Sequence, residues 1–589
     1  MSVNHKTPTK KIVKRKIFRN PIFIAGLTII IALAGIFSGL FIIFSFDVPK
    51  ERILYASHPG VIGGLDPLQT WVPTDIEILS QVAEGLFAHE RVNGTYQVIH
   101  NLAINYSRNE NATEYVFELR ENVSFHDETP FNASAVQWNI NRIYNLIDLM
   151  HWGQAQFWLF DGNGSQIINR TEILDEFLIK FYLNRPYVPL PALLASQHAY
   201  MLSPTSTPEN NFIDITGDLV GTGPFIFDSW SSQDKVIFTA NPDYWNGKPK
   251  YDKLIFKKSL TSEAKYSALL KGEVNMYSGY SNQLAEFEFS NNTLYNNNDI
   301  LESYINDPNI IVQEGPSAAN FLYLLMNNHL INVTMRKAIS YAFNYSALID
   351  EWLNGHGVRP KSIIPEGILY SNNTNIVLPY YNITIARQTL KDANWNGTAG
   401  LTVNDDVSTG NEWELKAESS TPIAIYNFTY IHFTAQPVEM FPLLLFDMLK
   451  DCLRQIGVRV VPAKITTYGE YFDIFFNNLD RLELSYIYFF PKFSDPSSIT
   501  NILCSNKSTD YNYCQINDQE VQEWVEDALE EIDEQARAQL YYQIQKKLVE
   551  DVFPMCYLFC KNNLNVYHKN IQGVEVNPFG SIYKDIDFN

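Results

Sequence analysis

At 589 residues the chain is too long for one ordinary domain, and with 46% hydrophobic and 14% aromatic residues it can bury large cores, which excludes global disorder. Its formal charge of −21 becomes −28 on the body once the seven cations of the first 46 residues, which include no acidic residue, are set apart. An acidic body of this kind repels nucleic-acid phosphates, so no nucleic-acid partner is expected.

In chain order, Lys6, Lys10, Lys11, Lys14, Arg15, Lys16 and Arg19 form a basic tail over residues 1–20. It leads into the uncharged run PIFIAGLTIIIALAGIFSGLFIIFSF at 21–46, long enough to cross a hydrocarbon core of roughly 30 Å as a helix. The cations precede the run, and Asp47, Lys50 and Glu51 follow it. The positive-inside rule therefore puts the tail in the cytoplasm and the body outside, as a single-pass protein of the cell membrane. A cleaved signal peptide is the alternative; the run exceeds an h-region of about 7 to 15 residues and ends without an A-x-A site, which favours an uncleaved anchor.

Arg52 to Ser57 reads as a strand and Gly63 to Pro67 as a turn. A helix is predicted from Thr74 or Asp75 through Phe87, with Ile76, Leu79, Val82, Ala83 and Leu86 at helical spacing. Tyr115, Phe117 and Leu119 alternate as a half-buried strand. His126-Asp127-Glu128-Thr129-Pro130 supplies a turn, and Asn132 can cap a helix carrying Val136, Ile140, Ile143 and Ile147. A strand over Glu176–Asn184 follows, then Gly221-Thr222-Gly223-Pro224-Phe225 opens an extended region continuing through Val236–Ala240 and Leu254–Phe256. No Gly-Lys-Ser/Thr follows these glycines and a strand comes next, so they read as structural glycines, not a phosphate loop. Beyond lie a helix over Glu263–Lys271, a buried strand from Phe321, a helix from Met335, a polar loop at 397–420 and a helix over Phe441–Ile456. The chain closes with a strand over Val458–Val461, a broken helical stretch over Gln519–Asp551 and an extended segment over Met555–Val566.

Sequons at Asn93, Asn105, Asn111, Asn122, Asn163, Asn332, Asn382, Asn427 and Asn506 suit a glycosylated outer surface. Cys504 and Cys514 flank a polar loop, which favours a surface disulfide over metal ligation. Cys556 and Cys560 stand too far apart in an extended run to bond each other. None of the eleven histidines falls in an H-E-x-x-H array and no G-x-S-x-G elbow occurs, so an ectoenzyme has little support and no metal or cofactor is expected.

Several of these stretches, in order, resemble the signatures of the family 5 extracellular solute-binding proteins, the receptors of peptide and nickel ABC importers. The family's Leu-Asp-Pro is Leu65-Asp66-Pro67, and its Glu-Gly-Leu is Glu84 to Leu86. Its Phe-His-Asp-Gly-Thr-Pro is Phe125 to Pro130, with Glu128 where the family usually has Gly, so a positive-φ turn there is less comfortable. Gly-Thr-Gly-Pro-Phe and Asn-Pro-x-Tyr-Trp recur at 221–225 and 241–245; Met326-Asn327-Asn328, Arg336 to Ala342 and Ile364-Pro365 complete the order.

The resemblance implies an α/β, two-lobed periplasmic-binding-protein-like fold (type II, with an extra subdomain) behind the N-terminal transmembrane helix. Lobe I would comprise 52–75, 219–318 and 561–589, with an inserted subdomain at 76–218 and a further domain at 319–560. It implies a solute receptor that delivers its ligand by hinge closure to an ABC permease and its ATPase, the ligand being a peptide, with an oligosaccharide as the alternative. No cysteine precedes Cys452, so the lipid-modified cysteine of many bacterial members cannot form. In relatives the segment after Asp-Pro lines the cleft, which implies Trp71, Val72 and Pro73; a core role for Trp71 is equally open.

The peptide-binding relatives also carry a loop with Gly-Trp, an Asp that pairs with the peptide ammonium, and an Asp-Pro three residues on. Here Asp495-Pro496 matches the Asp-Pro, Phe489 falls at the Trp and Lys492 at the ammonium-binding Asp. The reversed charge implies a blocked or acidic peptide, or an oligosaccharide stacked on Phe489, Tyr488 and Trp71. In the alternative, the loop has shifted, Lys492 points to solvent, and another acid such as Glu84 or Asp495 takes the amine.

Overall fold

The computed structural model describes residues 51–588 apart from 59–63, 71–72, 151–165, 214–218, 232–233, 259–261, 281–306, 318, 354, 372–373, 404–411, 432–439, 507–511 and 576–582. The expected membrane segment at 21–46 and its basic tail lie outside the described residues. Among the described residues no helix is long and apolar enough to cross a membrane.

Strand β1 (Ile53–His58) is followed by helix α1 (Pro73–Val82), where Pro73 sits in the first turn and its missing N–H costs nothing. α1 stops well short of the predicted Phe87. At Gly85 the backbone passes so close to its neighbours that a Cβ would lie 2.6 Å from Leu194 O. Glu84 instead bridges to Met201, and Phe87 begins a strand. That strand, β2 (Phe87–Val92), pairs with β3 (Thr95–His100) across a turn in which Asn93 and Gly94 both take positive φ, as a tight hairpin requires.

Strands β4 (Ala103–Arg108), β5 (Glu114–Leu119), β6 (Ile168–Asp175) and β7 (Leu178–Leu183) form an antiparallel sheet in the order β4-β5-β7-β6. Tyr115, Phe117 and Leu119 are buried, as their alternation predicts. Helix α2 (Ala133–Met150) covers the sheet with Val136, Ile140, Ile143 and Ile147 buried, and Asn132 Oδ1 caps it by accepting the Ser134 and Ala135 N–H groups at 3.1 Å. In the turn before it, Glu128 has φ 66°, the left-handed conformation a glycine would adopt more cheaply.

The long sheet is built from β1, β8 (Phe225–Ser231), β9 (Lys235–Ala240), β10 (Lys253–Lys258), β11 (Met276–Tyr280), β12 (Ile310–Ser317), β13 (Phe321–Met326), β14 (Gly357–Val358), β15 (Ala424–Ile431), β16 (Val458–Ile465), β17 (Leu484–Phe489) and β18 (Met555–His568). Its order is β16-β15-β17-β13-β18-β11-β1-β10-β9-β8, with β12 and β14 also on β18. The fourteen-residue β18 joins its two halves: the segment from Met555 to Phe559 pairs with β13, Cys560 and Lys561 with β14, and the remainder with β12 and β11. β12 and β13 follow each other beside it, and the chain between them is irregular. The register shifts between Glu314 and Ser317 and again at Leu322/Tyr323, and Ala319 has φ 56°. The irregularities are thus localised where the two halves of the sheet meet.

Around the sheet lie α3 (Val333–Ala342), α4 (Met440–Arg454), α5 (Ser497–Leu503), α6 (Gln519–Glu530) and α7 (Glu534–Lys547). The predicted polar loop at 397–420 holds a helix, Glu412–Glu418, because Trp413 inserts into the core at 1% exposure and donates its Nε1–H to Thr402 O at 2.6 Å. One aromatic finding a slot overrides the polarity of its neighbours. The two glycines of the Gly-Thr-Gly motif are structural, as expected: a Cβ at Gly221 would collide with Val82 O, and one at Gly223 would lie 2.7 Å from Gln81 O.

Candidate functional site

The site is assembled from a loop after β17 and a turn after β1. In the loop, Pro491 and Pro496 end one element and begin the next, and Asp495 fixes the exit. Its carboxylate accepts two hydrogen bonds from Arg537 of α7, Nη1 to Oδ2 at 2.6 Å and Nη2 to Oδ1 at 2.9 Å, and Ser497 N–H donates to Oδ1 at 2.9 Å. Burial pushes the Asp495 carboxyl up, but Arg537 and Ser497 outweigh it and hold the group below the usual carboxylate range. Ser494 Oγ lies 3.0 Å from His89 Nδ1 on β2, so the loop is seated against the inserted part of the chain.

Facing it, Asp66 organises the turn after β1. Its Oδ1 accepts Leu68 N–H at 3.1 Å, capping a 3-10 turn over Pro67–Gln69, while Oδ2 accepts Arg142 Nη2 at 2.5 Å and Ile213 N–H at 3.0 Å. His198 Nδ1 lies 2.9 Å from Pro67 O. The turn over Pro67–Gln69 is thereby held in place, and Asp75 of α1 is buried.

Lys492 lies where these parts meet. It is 8% exposed, and the charged or titratable groups acting on it are Asp75 of α1 and His198, both contributed by distant stretches of the chain. Burial pushes the Lys492 ammonium down to about 8, with Asp75 pulling the other way. Burial, aided by Lys492, brings His198 down to about 3, so that imidazole is neutral. Asp75 is near enough to act on the Lys492 charge.

The other predicted site residues divide. Trp71 and Val72 lie outside the described residues, and Pro73 opens α1. Phe489 is buried against Phe321, ring centroids 5.9 Å apart. Tyr488 is half-buried, donates its hydroxyl to Asn320 Oδ1 at 2.6 Å and carries Lys561 Nζ 4.6 Å from its ring centroid. Asp495, predicted to touch ligand, is committed to Arg537. Glu84 is likewise committed: Thr222 Oγ1, Tyr244 OH and Trp245 Nε1 donate to it at 2.7, 2.8 and 3.0 Å. Burial still raises its carboxyl above the usual value. Cys504 and Cys514, predicted as a surface disulfide, are instead buried free thiols, near enough that Cys514 acts on the Cys504 thiol. Asp75, His198 and Arg537 were missed. Arg537 alone left a signal, a cation on the same helical stripe as Tyr541 and Ile544.

A family profile described as "Bacterial extracellular solute-binding proteins, family 5 Middle" matches residues 97–509, well over half of the sequence. The chain belongs to the family 5 bacterial extracellular solute-binding proteins. Members of this family are non-enzymatic transport receptors, which sets the ectoenzyme reading aside. This family 5 protein is 24% identical to the "Probable D,D-dipeptide-binding periplasmic protein DdpA" of Escherichia coli (strain K12), over 90% of this chain and 92% of that one. It is 27% identical to the "Dipeptide-binding protein" of the same strain, over 51% of this chain and 56% of that one. Its fold, a mixed α/β two-lobed periplasmic-binding-protein fold, is shared with NikA from Brucella suis in complex with Fe(III)-EDTA, TM-score 0.74 at 19% identity, covering 92% of this chain and 100% of that one. The periplasmic binding protein DppA from Helicobacter pylori in complex with peptide STSA superposes with TM-score 0.69 at 21% identity, over 92% and 99% of the two chains.

Proposed function

We propose that this chain is the peptide-binding receptor of an ABC importer, held outside the cytoplasm by residues 21–46 and delivering its ligand by lobe closure to a membrane permease and its ATPase. The observation that carries the reading is the meeting of Lys492 with Asp75 and His198, which draws three separate stretches of the chain around one buried polar spot within a two-lobed fold. Relatives named for dipeptides support the peptide class. The lobes divide as 52–75, 219–318 and 561–589; 76–218; and 319–560, with the irregular β12–β13 junction and the centre of β18 as hinges.

Isothermal titration of the full-length protein, in mild detergent, with a pool of di- to pentapeptides tests the reading. Saturable binding at micromolar or tighter affinity is expected, and no binding of any peptide would refute it. For the anchor, protease added to intact cells should digest the body and spare an N-terminal tag; a mature N-terminus near residue 47 would refute that part. Seven of the nine sequon asparagines, Asn93, Asn105, Asn111, Asn122, Asn332, Asn427 and Asn506, are exposed, as glycan attachment on an outer surface requires.

A further inference from the structure

We propose that an open groove between the β4–β5 turn and the α6–α7 turn docks a cationic segment of the membrane permease that also carries an apolar side chain. The inference takes its partner from the receptor reading but concerns a surface that this reading does not use. The groove has a volume of about 570 Å³ and is open to solvent, so it lacks the enclosure that holds a small molecule. Its two walls come from distant stretches of the chain: Glu110 and Pro186 form one, and Asp527, Glu530 and Glu531 the other. Arg185 Nη2 ties these stretches together, 2.5 Å from Glu526 Oε2 and 3.2 Å from Glu530 Oε1, and Val188 N–H donates to Leu529 O at 2.8 Å. The groove is thus a seam fixed by direct bonds between its walls.

The lining is of two kinds. Ile532, 42% exposed, and the partly buried Leu540 supply apolar surface, and an isoleucine left open in a concave surface gains from a partner's apolar side chain. Four carboxylates stand around it, and none of the residues lining the groove is a lysine or an arginine. Lysines and arginines on an occupant therefore meet a complementary potential. The same charge excludes a second copy of this chain, whose strongly acidic body would be repelled. The chain's own basic tail is excluded as well, because the anchor reading puts it across the membrane. The permease that receives the ligand is the partner left, and a loop on its outer side with lysine or arginine beside an apolar residue fits both the charge and the apolar surface.

The probe is a short dye-labelled peptide alternating lysine and leucine, acetylated at one end and amidated at the other, followed by fluorescence anisotropy against the full-length protein in mild detergent. Because Asn111 lines the groove and is a sequon, every protein carries Asn111→Gln. Saturable binding is expected, weakened about tenfold between about 20 and 200 mM salt, and the same peptide with glutamate for lysine should not bind. Glu110→Lys/Asp527→Lys, at two exposed positions, should weaken the probe by about tenfold or more, whereas Glu351→Lys/Asp480→Lys, equal in charge but outside the groove, should cost less than about threefold. Ile532→Ser should cost about threefold or more through lost apolar contact. Both charge variants should still bind the pool of di- to pentapeptides, and a saturating pool should leave the probe in place. Equal loss in the two charge variants overturns the inference, as does undiminished binding to Ile532→Ser, since diffuse attraction to an acidic body needs neither the groove nor its isoleucine. Displacement of the probe by the pool also overturns it, putting the probe in the solute cleft. In intact cells, a short cross-linker on Gln539→Cys, an exposed groove position in a chain whose native cysteines are buried, should join the receptor to permease peptides. Cross-links to a second copy or to the basic tail, without permease peptides, overturn the choice of partner and the inference with it. Failure of the pool to bind, with the probe still held in the groove, overturns the peptide reading and leaves this inference standing.

Discussion

Asp495→Asn removes a charge without changing shape, and its effect follows from the geometry of the Asp495–Arg537 pair. Both partners are buried and joined by two charge-assisted hydrogen bonds; the amide of Asn can still accept one of them but leaves the buried Arg537 charge without its counter-ion, beside Ala528 O at 2.7 Å and the Tyr541 hydroxyl at 3.1 Å. Breaking one partner of such a pair costs about 3–5 kcal/mol, because the remaining charge stays buried. A chain of this length need not unfold in one step, so a local readout is appropriate. Amide hydrogen exchange of α5 and α7, followed by mass spectrometry, should speed up by about 150-fold or more, since each 1.4 kcal/mol is worth tenfold. The double variant Asp495→Leu/Arg537→Met should recover most of the protection, a hydrophobic pair being a near-neutral replacement. The pair also fixes a pH dependence. The Asp495 carboxyl is lowered in the folded state, so its contribution is complete above the ordinary value of 3.8 and is lost as pH falls through 3.8 toward the folded value. Acceleration below about fivefold in Asp495→Asn, with a changed ligand preference, would refute the reasoning and return Asp495 to the ligand.

Three further outcomes follow from single residues. Lys492 is lowered from 10.5 to about 8, so between those pH values the unfolded chain holds a proton that the folded one has released. Stability of the unliganded protein should therefore rise across that window by at most about 3 kcal/mol, read as the melting-temperature difference from Lys492→Met between pH 7.5 and 10.5. Glu128→Gly should raise the melting temperature, relieving left-handed strain of about 0.5–1 kcal/mol; a fall would show that the Glu128 side chain makes a compensating contact. Gly223→Ala should lower it by the equivalent of about 1–3 kcal/mol, since the new methyl meets the carbonyls of Gln81 and Val82.

The sequence made the secondary structure legible wherever periodicity and capping agreed, as at β5, α2 and its Asn132 cap. It misled where a distant backbone intervened: α1 ends at Val82 and Glu84 bridges to Met201, a pairing that no local pattern reveals. The site was legible in outline only. Lys492 was identified by its place in a motif, but that Asp75 and His198 face it depends on how separate stretches of chain come together. Motif position also says nothing about the partners a side chain finds, as Asp495 finds Arg537 and Phe489 finds Phe321.

The central claim is that a peptide is enclosed by movement of one part of the chain against another. Spin labels at Leu174→Cys and Leu415→Cys, both exposed in the wild type while all five native cysteines are buried, report the separation between β6 and the helix at Glu412–Glu418 by pulsed electron resonance. The distance distribution should shorten and narrow when a saturating peptide pool is added. Peptide binding that leaves the distribution unchanged would contradict closure and make this protein a rigid binding module.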